Sequence, residues 1–275
     1  MIYVPITSVS QLVKYVEEIK KEEENNDNHA DLLFRGQPCD EPLLPKLGRV
    51  NIRSRSRNVA KIEKLLLQEF GRTSIAFSNL PPSRQWDLIA LAQHHGLSTR
   101  LLDWTYSALA GLWFAVREPF NMQKKNKNEK CGALWVLRSS TDDFYQYDDT
   151  EGTSPLDNKR RTLIYRPAVI TQRIAAQSGV FTVHKLIDGK RFVAIEKNKN
   201  YKDRLTKFVI PSESFSSIRK HLNIFNVNNA LMFPDLDGLC THLTWRYTKY
   251  KDEKHEYSTF NKSLKRDTAK SRRTL

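Results

Sequence analysis

The sequence predicts an α+β domain in which a helical N-terminal half packs on a small, mostly antiparallel β-sheet that could be split. Apolar residues recur at helical spacing up to about residue 120, whereas short β-type runs replace them from residue 133 onward. Strands and helices do not alternate along the chain, which argues against a parallel βαβ sheet. With 275 residues, 39% of them hydrophobic, the chain can bury one sizeable core. We therefore predict a single domain over residues 1–250.

Helical spacing of apolar residues predicts six helices. The first has Leu12, Val16 and Ile19 on one face, and the fourth is apolar nearly all round, which is typical of a buried helix. The expected helices are residues 8–21, 58–78 and 86–94, a fourth from Asp103 or Ser107 to Pro119, residues 212–222, and a last one from Leu236 past Trp245.

Short β-type runs predict five strands, most of them in the second half of the chain. A strand at residues 32–34 is expected to join the later sheet, because the triplet Leu-Leu-Phe is too short for a buried helix. The expected strands are residues 32–34, 133–137, 180–184, 192–195 and 207–210.

The net charge of the chain indicates which class of ligand it could bind. Lys and Arg outnumber Asp and Glu by 45 to 31, a net charge of +14, which favours nucleic acid or another anion as a ligand. A merely solubilising surface is the alternative. Residues 251–275 are expected to form a basic, flexible tail.

Three cysteines without CxxC spacing predict neither disulfides nor a metal site. The chain shows no secretory signal and no apolar run of about 18 residues, so we expect a cytoplasmic protein without a membrane partner.

The segment LAQHHGLSTRLLDWTYSALAGLWFAV, residues 91–116, concentrates ionisable groups between two apolar helices. One interpretation is structural, with Asp103 capping a helix, Arg100 pairing with Asp103, and a histidine bonding the backbone. The other is a cleft wall, in which His94 or His95 acts as acid, base or ligand donor and Arg100 clamps a phosphate.

Five segments in order carry a resemblance to a known family. FRGQ at residues 34–37, the segment 91–116, RIAAQSGVFTVH at 173–184, KFVIP at 207–211 and LMFPDLDGL at 231–239 together resemble the FRG domain family. Ser98 and Ala108 stand where the family usually has proline. The resemblance covers roughly residues 8–245. It implies a bacterial, cytoplasmic protein of a phage-defence or toxin module, with an antitoxin or defence-system protein as a partner.

A second resemblance concerns chemistry. A strand that ends in Phe-Arg-Gly is similar to the strand that opens the NAD site of ADP-ribosyltransferases. By that resemblance Arg35, Gly36 and Gln37 would bind NAD, with the glycine allowing close backbone approach and the arginine clamping phosphate. Gln177, before a Ser-Gly turn, is a further cofactor-binding candidate.

The same resemblance implies a catalytic glutamate on a late strand. Glu213 is the candidate in this sequence, with Glu196 and Glu69 as alternatives. Asp235 and Asp237 could substitute, although both are also placed to cap the last helix.

Three functions stay open at this point. The first is an NAD-dependent ADP-ribosyltransferase-like toxin or defence protein acting on nucleic acid or protein. The second is a metal-independent nuclease that uses His94 or His95 with Asp103 and Arg100. The third is a non-catalytic module that senses nucleic acid or a phage component, in which Arg35 is a buried structural arginine paired with Asp103 or another carboxylate.

Overall fold

A computed structural model of the chain describes residues 3–25, 31–52, 58–77, 84–119, 131–157, 161–168, 172–248 and 250–253. Seven of the strands in these ranges form one sheet and two form a small hairpin. The strands are β1 (Tyr3–Pro5), β2 (Leu32–Gln37), β3 (Leu101–Thr105), β4 (Cys131–Arg138), β5 (Leu163–Tyr165), β6 (Gly179–Val183), β7 (Leu186–Ile187), β8 (Arg191–Phe192) and β9 (Leu205–Pro211).

The main sheet has the order β1-β9-β4-β2-β3-β6-β5. Strand β1 runs parallel to β9, and every other neighbouring pair in this sheet is antiparallel. The α+β class and the mostly antiparallel sheet are therefore confirmed. The strand predicted near residue 33 does join the later strands, since β2 pairs with β4 over six residues.

The six predicted helices lie where periodicity places them, with shifts of a few residues at the ends, and the described residues contain three further short helices. Ser107 caps α4 by accepting from the Ala110 amide, and Asp235 caps α9 by accepting from Gly238. The helices are α1 (Val9–Asn25), α2 (Val59–Thr73), α3 (Gln85–His94), α4 (Ala108–Val116), α5 (Tyr147–Thr150), α6 (Gln172–Gln177), α7 (Phe215–Ile224), α8 (Asn229–Met232) and α9 (Leu236–Tyr247).

Of the two starts expected for the fourth helix, Ser107 is confirmed and Asp103 is wrong, and strands β1, β3, β5 and β7 were not predicted. Residues 101–105 form strand β3, paired along its whole length with β6, and not the start of a helix. Asp103 is consequently a mid-strand residue and no helix cap. Leu-Leu-Asp-Trp-Thr is buried at every position except Asp103, and a short apolar run of that kind has no periodicity that separates a strand from a helix.

Helix α4 lies directly on strand β2. A Cβ added at Gly36 would lie 1.9 Å from the Gly111 carbonyl oxygen, so the two backbones approach as closely as glycine allows. Phe34, Trp113 and Phe208 belong to the core cluster on this side of the sheet. The opposite side holds a second cluster that includes Trp104 and Trp135.

The predicted tail falls almost wholly outside the described residues, which end at residue 253. None of the described helices has the length and apolarity that crossing a membrane requires.

Candidate functional site

The main sheet opens into a cleft where β2 and β3 separate. The ladder between these two strands contains one pair of Cα partners, Phe34 with Thr105, although β3 continues to Leu101 and β2 to Gln37. The cleft at this opening has a volume of about 630 Å³. Its polar and charged lining residues are Arg35, Lys46, Arg49, Gln93, His94, His95, Asp103, Thr105, Arg117, Arg173, Gln177, Asp235 and Asp237.

Arg35 reaches across the opening from β2 to β3. Its Nη1 donates to the main-chain oxygen of Asp103 at 2.8 Å and lies 3.5 Å from the Asp103 carboxylate. Only 14% of the Arg35 side chain is exposed, and no described residue accepts a hydrogen bond from its Nε. Burial lowers the pKa of Arg35, and the charge of Asp103 opposes this shift. Because an arginine stays protonated in proteins, its buried positive charge is only partly compensated by Asp103.

A short hydrogen-bond relay orients the Asp103 carboxylate. The Leu101 amide donates to Thr99 Oγ1 at 3.1 Å, and that hydroxyl donates to Gln93 Oε1 at 2.7 Å. Because the Gln93 oxygen accepts from Thr99, the amide nitrogen faces Asp103. Gln93 Nε2 donates to the two Asp103 carboxylate oxygens, at 3.1 and 3.0 Å. The relay holds Asp103 as a hydrogen-bond acceptor while 56% of its side chain stays exposed.

The electrostatic balance of the cleft is positive. Five Lys and Arg side chains line it, against three Asp, with two histidines. Lys46 Nζ donates to the Gly96 carbonyl at 2.6 Å, and the Arg173 guanidinium stacks over the Phe233 ring at 4.1 Å. Such a surface favours an anionic ligand.

The two histidines stand together at the C-terminal end of α3. Their rings lie 4.8 Å apart between centroids. Burial, followed by the charge of Arg173, lowers the pKa of His94 to about 4. His94 is therefore neutral at pH 7.

Comparison with known proteins gives one match. Residues 30–125 match the family model of the FRG domain. The chain contains an FRG domain. Neither the curated proteins nor the solved structures gave a match. The matched residues include β2, α2, α3, β3 and α4, whereas the later motifs of the sequence resemblance lie beyond them.

The FRG domain brings most of the predicted site residues to one place. Arg35, Gly36, His94, His95 and Asp103 all line the cleft. Gln177 lines it too, although its amide also donates to the Met232 carbonyl at 2.9 Å.

Three predicted site residues lie elsewhere. Arg100 is buried and pairs with Glu63, at 2.6 Å between Nη2 and Oε2, instead of pairing with Asp103. Gln37 is buried at the C-terminal end of β2 and does not line the cleft; its Oε1 accepts from the Trp135 indole at 3.1 Å. Glu213 is exposed before α7 and does not line the cleft.

Gly36 has a structural role that the sequence did not predict. The space that its missing side chain leaves is filled by the backbone of α4, at Gly111 and Ala115. The glycine therefore permits close approach of a helix. Whether a ligand also meets its backbone on the cleft side stays a prediction.

The cleft includes residues that sequence reasoning did not select. Lys46, Arg49, Gln93 and Arg117 were missed as site residues, and Arg173 was noted only as part of a motif. Gln93 directly precedes His94 and His95 in the segment 91–116. Its position next to two candidate site residues was the one signal in the sequence that could have identified it.

A buried histidine outside the cleft predicts a pH dependence. Burial, more than the neighbouring charges of Arg35 and Arg100, lowers the pKa of His184 to about 3. The unfolded chain therefore takes up this proton at a higher pH than the folded one, and stability falls as the pH drops from 6.5 toward 3. We expect His184 to account for about 2 kcal/mol of lost unfolding free energy between pH 7 and pH 5.

Urea unfolding of wild type, His184→Gln and His221→Gln at the two pH values measures this contribution. His221 is exposed, so His221→Gln should keep the wild-type pH dependence. If the unfolding free energy of all three proteins fell by the same amount between pH 7 and pH 5, His184 would not be the cause of the pH dependence.

Proposed function

We propose that the cleft binds a nucleotide through its phosphates and that the chain is an NAD-dependent ADP-ribosyltransferase-like enzyme. The observation that carries the proposal is Arg35. It lies in the opening of the sheet, largely buried, with a donor that no described residue satisfies. A buried unsatisfied donor on a charged group costs free energy, and a bound phosphate oxygen supplies the acceptor.

The size and charge of the cleft suit such a ligand. Its volume of about 630 Å³ falls within the roughly 300–1,000 Å³ typical of ligand pockets. Arg35, Lys46, Arg49 and Arg173 would hold the phosphates of NAD, and the two histidines would line the wall beside them. Arg49 already donates to Glu41 at 3.1 Å, so it has one fixed partner and further donors to offer.

Asp103 supplies the carboxylate that the transferase hypothesis needs. Glu213 was the candidate from the sequence, but it does not line the cleft, whereas Asp103 does. Its fixed orientation suits acceptance of a hydrogen bond from a ribose hydroxyl and stabilisation of positive charge on the sugar. When bound, NAD would supply the ADP-ribosyl group, with nicotinamide leaving.

The target is proposed from charge and family. A net charge of +14 supports nucleic acid as the acceptor, with a protein target as the alternative. The FRG domain supports a place in a toxin or anti-phage defence module, with an antitoxin or defence-system partner.

A specific observation favours the non-catalytic alternative. The bond from Arg35 to the Asp103 carbonyl joins β2 to β3 beyond their single ladder pair, which suits a structural arginine in a sensing module. A nuclease that uses His94 as its base has less support, because a histidine with a pKa of about 4 is a weak general base at neutral pH.

Thermal unfolding with and without millimolar NAD or ADP tests the proposal. Both ligands should raise the midpoint of wild type, and Arg35→Ala should lose this response while remaining folded. Arg72→Ala should keep it, because Arg72 lies outside the cleft on the surface. Early melting of Arg35→Ala together with no effect of either ligand on wild type would establish the structural alternative.

Release of nicotinamide from NAD then separates an enzyme from a binding module. We expect slow release by wild type and a loss of about 10²-fold or more in Asp103→Asn, which removes the charge but keeps the shape. Binding of NAD without any release would leave the cleft as a nucleotide sensor.

A further inference from the structure

A buried group of charges lies outside the cleft, around Arg219 of α7. Arg219 is 4% exposed, and its Nη2 donates to Asp252 Oδ1 at 2.6 Å and to Glu253 Oε1 at 3.3 Å. Its guanidinium carbon lies 5.1 Å from the centroid of the Tyr250 ring. We refer to these four residues as the Arg219 cluster. The cluster joins α7 to the segment that follows α9.

The Arg219 cluster is bonded to α4 directly before a cleft residue. Arg219 Nη1 donates to the carbonyl of Val116, the last residue of α4, at 2.8 Å. The next residue, Arg117, lines the cleft and also lines a second cavity, of about 10 Å³, together with Arg219. Burial raises the pKa of Tyr250, and the charges of Arg219 and Arg117 oppose this shift. Arg117 therefore belongs both to the surroundings of the cluster and to the cleft.

The cluster is also bonded to α9, whose start lies at the cleft. Trp245 of α9 donates its indole N–H to Glu253 Oε1 at 2.9 Å. At the other end of this helix, a Cβ added at Gly238 would lie 1.9 Å from the Phe233 carbonyl oxygen, so the first turn packs closely on Phe233. A helix of 12 residues is stiff enough to transmit a fixed position from one end to the other.

Phe233 holds two arginines at this end of the cleft. The guanidinium carbon of Arg173 lies 4.1 Å from the ring centroid, and that of Arg117 lies 5.7 Å from it. Burial lowers the pKa of Arg173, and the charge of Arg117 adds to this shift. The charges of Asp103 and Asp235 oppose it. An anionic group of a ligand that meets both guanidiniums would offset their mutual repulsion.

We propose that Arg117 is a further contact for the anionic part of the cleft ligand, and that Arg219 is the residue that positions it. This inference rests on the proposed binding of a nucleotide in the cleft. The bond from Arg219 to the Val116 carbonyl fixes the backbone directly before Arg117. Arg117 also lies 3.2 Å from Glu118, whose side chain is 64% exposed, so this pair is weak and leaves guanidinium donors for a ligand.

The two carboxylates of the cluster give Arg219 a second effect on Arg117. Asp252 and Glu253 are 21% and 6% exposed, so each needs a cation beside it. Among the described residues that line the small cavity, Arg117 carries the other positive charge. Without Arg219, the carboxylates would attract the Arg117 guanidinium and draw it away from the cleft.

Calorimetric titration of the full chain with ADP, and with inorganic pyrophosphate as a second probe, tests the positioning role at a temperature at which each variant is folded. Arg117→Ala and Arg219→Met should each weaken binding by about 10-fold, as expected for one lost hydrogen bond to a charged group. The double variant should bind no more weakly than Arg117→Ala alone, because Arg219 acts through Arg117.

Arg204→Met is the matched control. Arg204 also pairs with a buried carboxylate, with 3.0 Å between its Nη2 and Oδ1 of Asp143, but neither residue lines the cleft. This variant should lose stability and keep the wild-type affinity for both probes. A loss of affinity that merely follows lost stability would appear in Arg204→Met as well.

Hydrogen exchange of the free protein gives a readout that needs no ligand. Arg219→Lys keeps the charge but loses the planar fork that bonds Val116 and Asp252 together. Amide exchange in residues 114–118 and 235–239 should become faster by about 10-fold or more, the local equivalent of one lost hydrogen bond. Exchange in β5, at the far edge of the sheet, should not change. This milder variant also takes the place of Arg219→Met in the titrations if the latter does not fold.

Three results would overturn the inference while the nucleotide proposal stands. These are wild-type affinity in either single variant, additive losses in the double variant, and unchanged exchange in residues 114–118 of Arg219→Lys. A wild type that binds neither ADP nor pyrophosphate would overturn the nucleotide proposal and the role of Arg117 together, so the two failures are distinguishable.

Discussion

Replacing Gly36 by alanine is expected to destabilise the FRG domain by about 3 kcal/mol or more. The new Cβ would lie 1.9 Å from the Gly111 oxygen and 2.6 Å from the Ala115 nitrogen. Both are backbone atoms of α4, which cannot rotate aside as a side chain can. The helix would have to lift from β2, and it carries Phe114 and Arg117 of the cleft with it.

Chemical denaturation measures the effect, and Gly179→Ala is its matched control. Gly179 lies in strand β6 of the same sheet, and the nearest atom to a Cβ there is the Trp104 oxygen at 3.9 Å. Alanine at residue 179 should cost little. Equal stabilities of Gly36→Ala and Gly179→Ala would contradict the close helix–strand contact.

Replacing Arg100 by methionine should cost about 3–5 kcal/mol, because it leaves Glu63 charged and buried without its partner. Both side chains are 3% exposed. Arg100 Nε lies 2.9 and 3.0 Å from the two Glu63 oxygens, and Nη1 donates to the Pro155 carbonyl at 3.1 Å. The pair joins α2 to the start of β3 through residues 37 apart in the chain.

A double variant separates the buried charge from the packing. Arg100→Met with Glu63→Leu replaces both charges by apolar groups and should recover much of the loss. The exposed pair Arg72–Glu69 is the control, and Arg72→Ala should leave unfolding unchanged. If Arg100→Met were as stable as wild type but lost a response to NAD, Arg100 would be the phosphate clamp first expected from the sequence.

Much of the fold follows from local patterns in this chain. Helical spacing predicts α1, α2, α3 and α9, because each keeps its periodicity for at least ten residues. The pairing of β2 with the later strands could be predicted since Leu-Leu-Phe needs neighbours on both sides. Strand β3 could not, because a run of five residues with four of them buried suits a helix equally well.

The candidate site was largely predictable in composition, and the pairing of Arg35 with Asp103 was one of the interpretations that the sequence allowed. Arg35, Asp103 and His94 were selected as ionisable groups beside apolar runs, and they do meet in one cleft. The partner of Arg100 could not be predicted, because Glu63 looks like any polar residue on an amphipathic helix. Gly36 shows the same limit, since a sequence does not say which neighbour occupies the space beside a glycine.

Strands β2 and β3 share a single ladder pair, Phe34 with Thr105, and this pair divides the sheet into two parts. On one side of it lies a ribbon of four strands, β1-β9-β4-β2, and on the other a ribbon of three, β3-β6-β5. Each other pair of neighbouring strands described in this sheet shares at least three ladder pairs, and the cleft lies where β2 and β3 share one. A ligand that bonds both Arg35 and Asp103 would connect the two groups of strands. We therefore expect ligand binding to slow amide exchange along β3.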